Sequence, residues 1–198
     1  MGRWEPDSRQ RLERAALELY SERGFDDTTV AQIAERAGLT ERTFFRHFED
    51  KREMLFGGAG ALQDLLVGAV TDAPPSASPI EAVAVALDAV GGMFADRREF
   101  AVARRSIIMG SVELQERELI KMATLASAVA DALRQRGVED PAAGLTAEVA
   151  IAVFRVAFER WVTGAGPADL TEHMRDGLAA LRVVTSPGCT SRSAASVD

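Results

Sequence analysis

The stretch TTVAQIAERAGLTERTFFRHFEDKREML, Thr28 to Leu55, decides the fold of this chain. Thr29 precedes a run with helical spacing of apolar residues, Gly38 suits a tight turn, and Thr40 can cap a second helix. Six apolar side chains are spaced to meet between the two helices: Val30, Ile33, Ala34, Leu39, Phe44 and Phe48. The order of helix, glycine turn and helix predicts a helix-turn-helix unit.

The second helix of this unit, residues 40–47, carries a polar and cationic face. Its members are Thr40, Arg42, Thr43 and Arg46. Hydroxyl and guanidinium groups on an exposed helix can bind base edges and phosphates in a DNA major groove. From Arg36 to Arg52 the sequence holds five cations and three acids, although the whole chain of 198 residues has a net charge of −7. This local basic surface on an acidic body indicates DNA binding.

Helices are predicted along the remainder of the chain as well. Five apolar runs follow a polar residue that can accept a backbone N–H, each time with Glu or Gln three residues later. These pairs are Thr29/Gln32, Asp50/Glu53, Ser78/Glu81, Asp96/Glu99 and Asp169/Glu172. The pattern predicts an all-α chain with helices at roughly 8–23, 29–37, 40–47, 51–70, 79–95, 97–108, 111–136, 141–163 and 170–183.

Composition excludes several classes of function. The chain has one cysteine, Cys189, and two histidines, His47 and His173, so we expect neither a disulfide framework nor a Cys/His metal centre. No uninterrupted apolar run approaches the ~20 residues that span a bilayer, and the N-terminus lacks the apolar core of a signal peptide. The expectation is a cytoplasmic protein without a metal or another cofactor.

Enzyme activity is not expected either. The sequence offers no glycine loop for phosphates and no nucleophile–base pair at a recognisable spacing. The alternative function is a helical ligand-binding or interaction module without sequence-specific DNA binding. Such a module would need neither the polar face at residues 40–46 nor the turn at Gly38.

The helix-turn-helix stretch resembles the TetR family of bacterial transcriptional regulators. The resemblance rests on Leu19-Tyr20, Gly24-Phe25, Thr28-Thr29-Val30, Ile33-Ala34, Ala37-Gly38, Phe44-Phe45-Arg46-His47-Phe48, Lys51 and Leu55. It implies a repressor that binds a palindromic operator as a homodimer and is released by a small-molecule effector. The candidate DNA-binding residues are Thr29, Thr40, Arg42, Thr43, Phe45, Arg46, His47 and Lys51. Phe45 stands where the family often has tyrosine, so it can offer only van der Waals contact.

The domain organisation follows from the same resemblance. We expect a three-helix DNA-binding domain over residues 1–50, a six-helix effector-binding and dimerisation domain over residues 51–184, and a disordered tail over residues 185–198. The helix at 141–163 is apolar nearly all round, which predicts one face against its own domain and one against a second copy. The predicted dimer interface consists of Phe154, Phe158, Trp161, Met174 and Leu178.

A ligand pocket is expected between the helices of the C-terminal domain. Its predicted lining is Leu62, Leu66, Leu87, Phe94, Arg104, Ile107 and Met122. One of the adjacent residues Arg104 and Arg105 should face inward, because neighbours on a helix lie about 100° apart. Its partner is either an internal acid, Glu113 or Glu116, or the anionic group of an effector. The effector is therefore expected to be apolar, and anionic if that arginine binds it.

Overall fold

The structure, a computed structural model, describes residues 8–186, and all regular elements in this range are α-helices, which confirms the all-α prediction. The helices are α1 (Ser8–Arg23), α2 (Val30–Arg36), α3 (Glu41–His47), α4 (Glu53–Phe56), α5 (Ala59–Asp72), α6 (Pro79–Met93), α7 (Arg98–Met109), α8 (Val112–Gln135), α9 (Ala142–Thr163) and α10 (Leu170–Thr185). Of the predicted tail, Thr185 ends α10, Ser186 follows it, and residues 187–198 lie outside the described range.

Helices α1, α2 and α3 form the predicted helix-turn-helix unit. The side chain of Thr29 accepts the N–H of Gln32, and the Gln32 side chain accepts the N–H of Thr29, so α2 begins at a complete capping box. Gly38 has a φ of +64°, a left-handed conformation that most other residues avoid, and it allows the turn into α3. The buried cluster between the three helices includes Leu12, Leu19, Phe25, Ile33, Phe44 and Phe48.

The predicted helix at 51–70 is interrupted by Gly57 and Gly58, so that α4 is a single turn and α5 starts anew. A Cβ on Gly57 would lie 2.5 Å from a guanidinium nitrogen of Arg9 and 3.1 Å from the carbonyl of Glu53. The chain can make this close approach to α1 because Gly57 has no side chain.

Helix α4 packs with the N-terminal helices although it follows the predicted domain boundary at residue 50. Its buried residues Met54, Leu55 and Phe56 belong to the same cluster as the helix-turn-helix core. Ile107, Ile108 and Leu114 from α7 and α8 join that cluster. The boundary therefore does not coincide with a break in packing.

The second hydrophobic cluster is built by α5, α6, α8, α9 and α10, together with Ala101 of α7. Helix α9 lies at its centre and contacts α6, α7, α8 and α10. The capping boxes predicted at Ser78/Glu81 and Asp169/Glu172 are present. The prediction at Asp96/Glu99 is wrong, because α7 begins after Arg97 without a side-chain cap.

One segment in the described range, Glu53–Asp72, is long and apolar enough to cross a membrane by length and composition alone. Gln63 and Asp64 interrupt its apolar residues, so no continuous apolar run marks it in the sequence. In the structure, Gly57 and Gly58 divide this segment, and its residues Leu62, Leu66 and Val70 are buried in the second cluster.

The contact between α6 and α10 provides a stability test. A Cβ on Gly91 would lie 3.0 Å from the Cα of Thr171 and closer still to its side chain, so Gly91→Ala would force the helices apart. We expect the free energy of unfolding, measured by urea denaturation, to fall by about 1–3 kcal/mol. Gly92→Ala is the control, since its Cβ would meet no atom within 4 Å apart from its chain neighbours and the backbone of its own helix, and it should raise stability by about 0.5–1 kcal/mol. Equal effects of the two substitutions would contradict the close contact.

Candidate DNA-binding surface and ligand cavity

The outward face of α3 is formed by Arg42, Phe45 and Arg46, while Phe44 on the opposite side is fully buried. Thr40 caps the helix, since its hydroxyl oxygen accepts the N–H of Thr43 at 3.2 Å. Phe45 is 57% exposed, an uncommon position for a large aromatic side chain on a cationic helix. The helix is thus held rigidly from behind and presents two guanidinium groups and one apolar ring.

Three candidate residues have their hydroxyl groups engaged within the chain. The Thr29 side chain accepts the N–H of Gln32 at 3.3 Å as part of the α2 cap. The hydroxyl groups of Thr40 and Thr43 lie 3.1 Å apart and bond to each other. The capping role is therefore observed, and contact of these three residues with DNA stays a prediction.

His47 lies at the end of α3, with its Nε2 atom 2.9 Å from the hydroxyl of Ser8. Partial burial and the nearby charges of Arg46 and Arg9 hold the pKa of His47 below its ordinary value of 6.5. The ring is therefore mostly uncharged at neutral pH. It could give a phosphate a hydrogen bond without a full positive charge.

Lys51 points into the chain, contrary to the predicted phosphate contact. Its ammonium donates to the carbonyl oxygens of Phe25, Thr28 and Asp26 at 2.8, 2.9 and 3.2 Å. The same ammonium lies 4.3 Å from the centre of the Phe25 ring. An ammonium has three N–H donors, so all of them are used on the loop between α1 and α2.

The backbone of Lys51 is fixed as well. The Tyr20 hydroxyl donates to its carbonyl oxygen at 2.7 Å. Burial raises the pKa of Tyr20, so this hydroxyl stays protonated as a donor at physiological pH. Lys51 therefore ties the start of α2 to α1 and to the segment before α4.

Other cations of the basic stretch are also neutralised within the chain. Arg36 forms ion pairs with Glu18 and Glu22 of α1. Arg52 forms ion pairs with Asp50 and with Glu113 of α8. Of the five cations between residues 36 and 52, Arg42 and Arg46 are left to form the outward basic surface.

A cavity of about 440 Å³ lies where α1, the turn between α4 and α5, and helices α6 to α9 meet. Of the residues predicted to line a pocket, Leu62, Phe94, Arg104 and Met122 do so. The prediction is wrong for three others. Leu66 and Leu87 are buried in the core of the C-terminal helices, and Ile107 packs in the N-terminal cluster.

Sequence reasoning missed part of the cavity wall. Phe154 and Phe158 line it, and so do Arg9 and Gln10 of α1. The aromatic residues carry the expected apolar pattern, but nothing in the sequence places α1 beside a cavity of the C-terminal helices. Helix α1 of the N-terminal unit and the helices of the larger domain therefore both line this cavity.

Arg104 faces inward and has an internal acidic partner, although not one of the two that were predicted. Its guanidinium donates to Glu118 at 2.6 Å and to the carbonyl of Leu55 at 2.6 Å, and it lies 5.0 Å from the centre of the Phe56 ring. Of the predicted partners, Glu113 binds Arg52 and Glu116 is exposed. Arg105 instead pairs with Glu159 of α9, and its hydrogen bonds hold the pKa of Glu159 below its ordinary value.

All five residues predicted for a dimer interface pack against the interior of their own chain. Phe154 and Phe158 line the cavity, Trp161 and Met174 are buried, and Leu178 packs against the core. The cause is the central position of α9, whose contacts with four helices use its aromatic face internally. The large apolar residues that α9 and α10 leave exposed are Leu145, Val156, Val183 and Val184.

Comparison with protein-family models gives two matches. Residues 13–57 match the model described as bacterial regulatory proteins, tetR family. Residues 77–185 match the model described as the MftR C-terminal domain. The first match begins within α1 and ends after α4, the second covers α6 to α10, and α5 lies between the two.

Curated relatives resemble mainly the N-terminal part. The chain is 38% identical over 89 residues to the HTH-type transcriptional regulator TcmR of Streptomyces glaucescens, a match that covers 45% of this chain and 39% of TcmR. It is 43% identical over 49 residues to the HTH-type transcriptional regulator SrpR of Pseudomonas putida, covering 25% of this chain and 23% of SrpR. The chain thus matches less than half the length of each relative.

Solved structures resemble nearly the whole chain in fold. FadR from Bacillus subtilis, in complex with stearoyl-CoA, superposes with a TM-score of 0.61 at 18% identity, covering 87% of this chain and 96% of FadR. FadR from Thermus thermophilus, in complex with lauroyl-CoA, gives 0.56 at 22% identity, covering 96% and 99%.

Lys51→Met tests the internal role of Lys51. Methionine keeps an unbranched side chain but leaves the carbonyls of the loop without their donor, so stability should fall by about 1–3 kcal/mol in urea denaturation. The dependence of DNA affinity on salt concentration should keep its slope, because no phosphate contact is lost. A flattened slope at unchanged stability would instead make Lys51 a phosphate-binding residue.

Proposed function

This chain belongs to the TetR family of bacterial transcriptional regulators, and from this membership we propose that it is a repressor that binds a palindromic operator as a homodimer. A small-molecule effector releases it from the operator. We propose further that the protein works in the cytoplasm and has no enzymatic activity, in keeping with its relatives, which are named as transcriptional regulators.

The observation that carries DNA recognition is the exposed face of α3. Arg42 and Arg46 have their guanidinium groups outward, and Phe45 between them is exposed although it is apolar. Arginine can donate two hydrogen bonds to guanine, and an apolar ring can contact a thymine methyl group. We assign Arg42, Thr43 and Phe45 to base edges.

The phosphate backbone is assigned to residues at the edges of this face. Thr29, Thr40, Arg46 and His47 lie at the ends of α2 and α3 or beside them. Hydroxyl, guanidinium and imidazole groups all bind phosphate oxygens, which fixes the position of the helix on the duplex. Lys51 is left out of this assignment because its donors are bonded internally.

The dimer is proposed to form through the outer surfaces of α9 and α10. Leu145 and Val156 are exposed on α9, and Val183 and Val184 are exposed on α10. A pair of helices from each copy would make a four-helix interface with two-fold symmetry. Two copies of α3 would then face successive major grooves, which requires a palindromic site.

The cavity is proposed as the effector site. Its volume lies in the range of small-molecule pockets, and its wall is largely apolar and aromatic with a few charged groups. The structural neighbours from B. subtilis and T. thermophilus hold stearoyl-CoA and lauroyl-CoA, and their acyl chains support an effector with an apolar part here. An effector releases DNA only if it binds the DNA-free conformation more tightly than the DNA-bound one.

Arg42→Ala tests DNA recognition in gel-shift titrations on the DNA upstream of the protein's own gene. We expect a loss of about 1–3 kcal/mol on the specific site and little loss on random DNA, since a base contact is removed. Arg46→Ala should weaken binding to both and reduce the salt slope by about 1. Arg134→Ala, which removes the same charge from the exposed surface of α8, serves as the control and should leave both affinities unchanged. Equal losses on specific and random DNA for Arg42→Ala would remove it from the base-reading residues. No specific shift for the unmodified protein would favour a ligand-binding module instead.

Val156→Arg tests the dimer surface. Val156 on α9 and Leu119 on α8 are both 57% exposed, so Leu119→Arg is a matched control for added charge and lost apolar surface. We expect Val156→Arg to shift the protein to monomers in sedimentation at micromolar concentration, with its helical circular dichroism retained, because two copies would bring the new charges together. Leu119→Arg should stay dimeric. A dimer that survives Val156→Arg but not Leu119→Arg would move the interface to α8.

A further inference from the structure

The two ends of the cavity differ in chemistry. At one end, Phe94 lies 6.2 Å from Phe154 and 5.8 Å from Phe158, measured between ring centres. Trp161 stands behind them, 6.1 Å from Phe94 and 5.8 Å from Phe158. This aromatic end suits an apolar chain or ring.

The end of the cavity that lies against α4 carries three cations. Arg9 approaches Gly57, Arg104 donates to the carbonyl of Leu55, and Lys121 lies 3.8 Å from Glu53. The whole lining carries four cationic side chains and two acidic ones, in a chain whose net charge is −7. The cavity is therefore more positive than the protein as a whole.

Two of the three cations at this end have an acidic partner of their own. Arg104 is bonded to Glu118 and to a backbone carbonyl, and Arg9 is bonded to Glu13 at 3.0 Å. Binding an anion through Arg104 would require breaking these bonds, so we do not assign the anion to it.

Lys121 is the exception. The Glu53 oxygen at 3.8 Å from its ammonium is contacted more closely by Arg117, so one carboxylate faces two cations. The Lys121 side chain is only 29% exposed. An ammonium in such a position retains donors for a further acceptor and is stabilised by a second negative charge.

From this arrangement we infer that the cavity binds an amphipathic anion, whose charged group is held by the ammonium of Lys121 and whose apolar part lies among Phe94, Phe154 and Phe158. The inference rests on the proposed effector role of the cavity and specifies its ligand class. Because Arg9 and Gln10 line the same cavity, such a ligand would also contact α1.

The test uses the two tryptophans and two lysines of the chain. Trp4→Phe leaves Trp161 as the only tryptophan, so its fluorescence reports occupancy of the aromatic end. The probes share a twelve-carbon chain and differ in the head group: dodecanoate, dodecyl phosphate and neutral dodecan-1-ol. We expect at least one anion to bind at least tenfold more tightly than the alcohol, which corresponds to about 1.4 kcal/mol. The two anions distinguish a carboxylate from a phosphate head group.

Lys121→Met in the same background should remove this advantage and leave dodecan-1-ol binding unchanged. Lys121→Arg keeps the charge and should restore most of the preference. Carbon-labelled lysine in the protein without lysine substitutions gives an independent measurement by NMR, because Lys51 and Lys121 are the only lysines. The bound anion should shift the Cε resonance of Lys121, whereas that of Lys51 serves as internal control.

Several results would overturn the inference. They are anion affinities no greater than that of the alcohol, an anion preference that persists in Lys121→Met, or a resonance of Lys121 that does not respond to bound anion. Operator binding measured on the ligand-free protein separates the two proposals. If no probe changes Trp161 fluorescence but the ligand-free protein binds the operator, the proposed effector site is wrong and the proposed DNA recognition stands. If the anion binds through Lys121 but no operator is bound, the ligand class stands and the regulatory function fails.

Discussion

Helix α4 contacts both the N-terminal helices and two arginines of α7 and α8. The position of the three N-terminal helices relative to the rest of the chain depends on these contacts. Its buried face lies in the same apolar cluster as α1 and α3. Phe56 of this face also contacts the arginines of α7 and α8, since the guanidinium groups of Arg104 and Arg117 lie 5.0 and 5.8 Å from its ring centre. Arg117 also contacts Glu53 at the start of the helix. A four-residue helix has little stability of its own, so its conformation is set by these neighbours.

The sequence predicted the features that depend on local chemistry. The capping boxes at Thr29, Ser78 and Asp169 are visible in the sequence because both partners lie within one helical turn. The turn at Gly38 and the buried Phe44 follow from spacing in the same way. The break between α4 and α5 could also have been predicted, since two adjacent glycines inside an apolar helix favour an interruption.

Features that depend on distant parts of the chain could not be predicted. The acceptors of Lys51 are backbone carbonyls more than twenty residues away, and carbonyls have no sequence signature. Leu62 and Leu66 are one helical turn apart on the same face, yet only Leu62 reaches the cavity. The aromatic residues of α9 were predicted to face a second copy. An apolar helix face can pack equally well against a second copy or against its own domain, and the sequence does not distinguish the two. Which of these holds depends on how many helices surround it.

Because α1 and α8 both line the cavity, the response of the protein to ligand concentration would depend on DNA. A ligand that touches both α1 and α8 has an affinity that depends on how these helices are placed relative to one another. If bound DNA holds α1 in one position, it would lower the affinity of the protein for the ligand. By thermodynamic linkage, the ligand would lower the affinity for DNA by the same factor. The ligand level at which half of the molecules respond would then rise with the number of operators in the cell. A sensor built in this way would measure its ligand against the amount of DNA it controls.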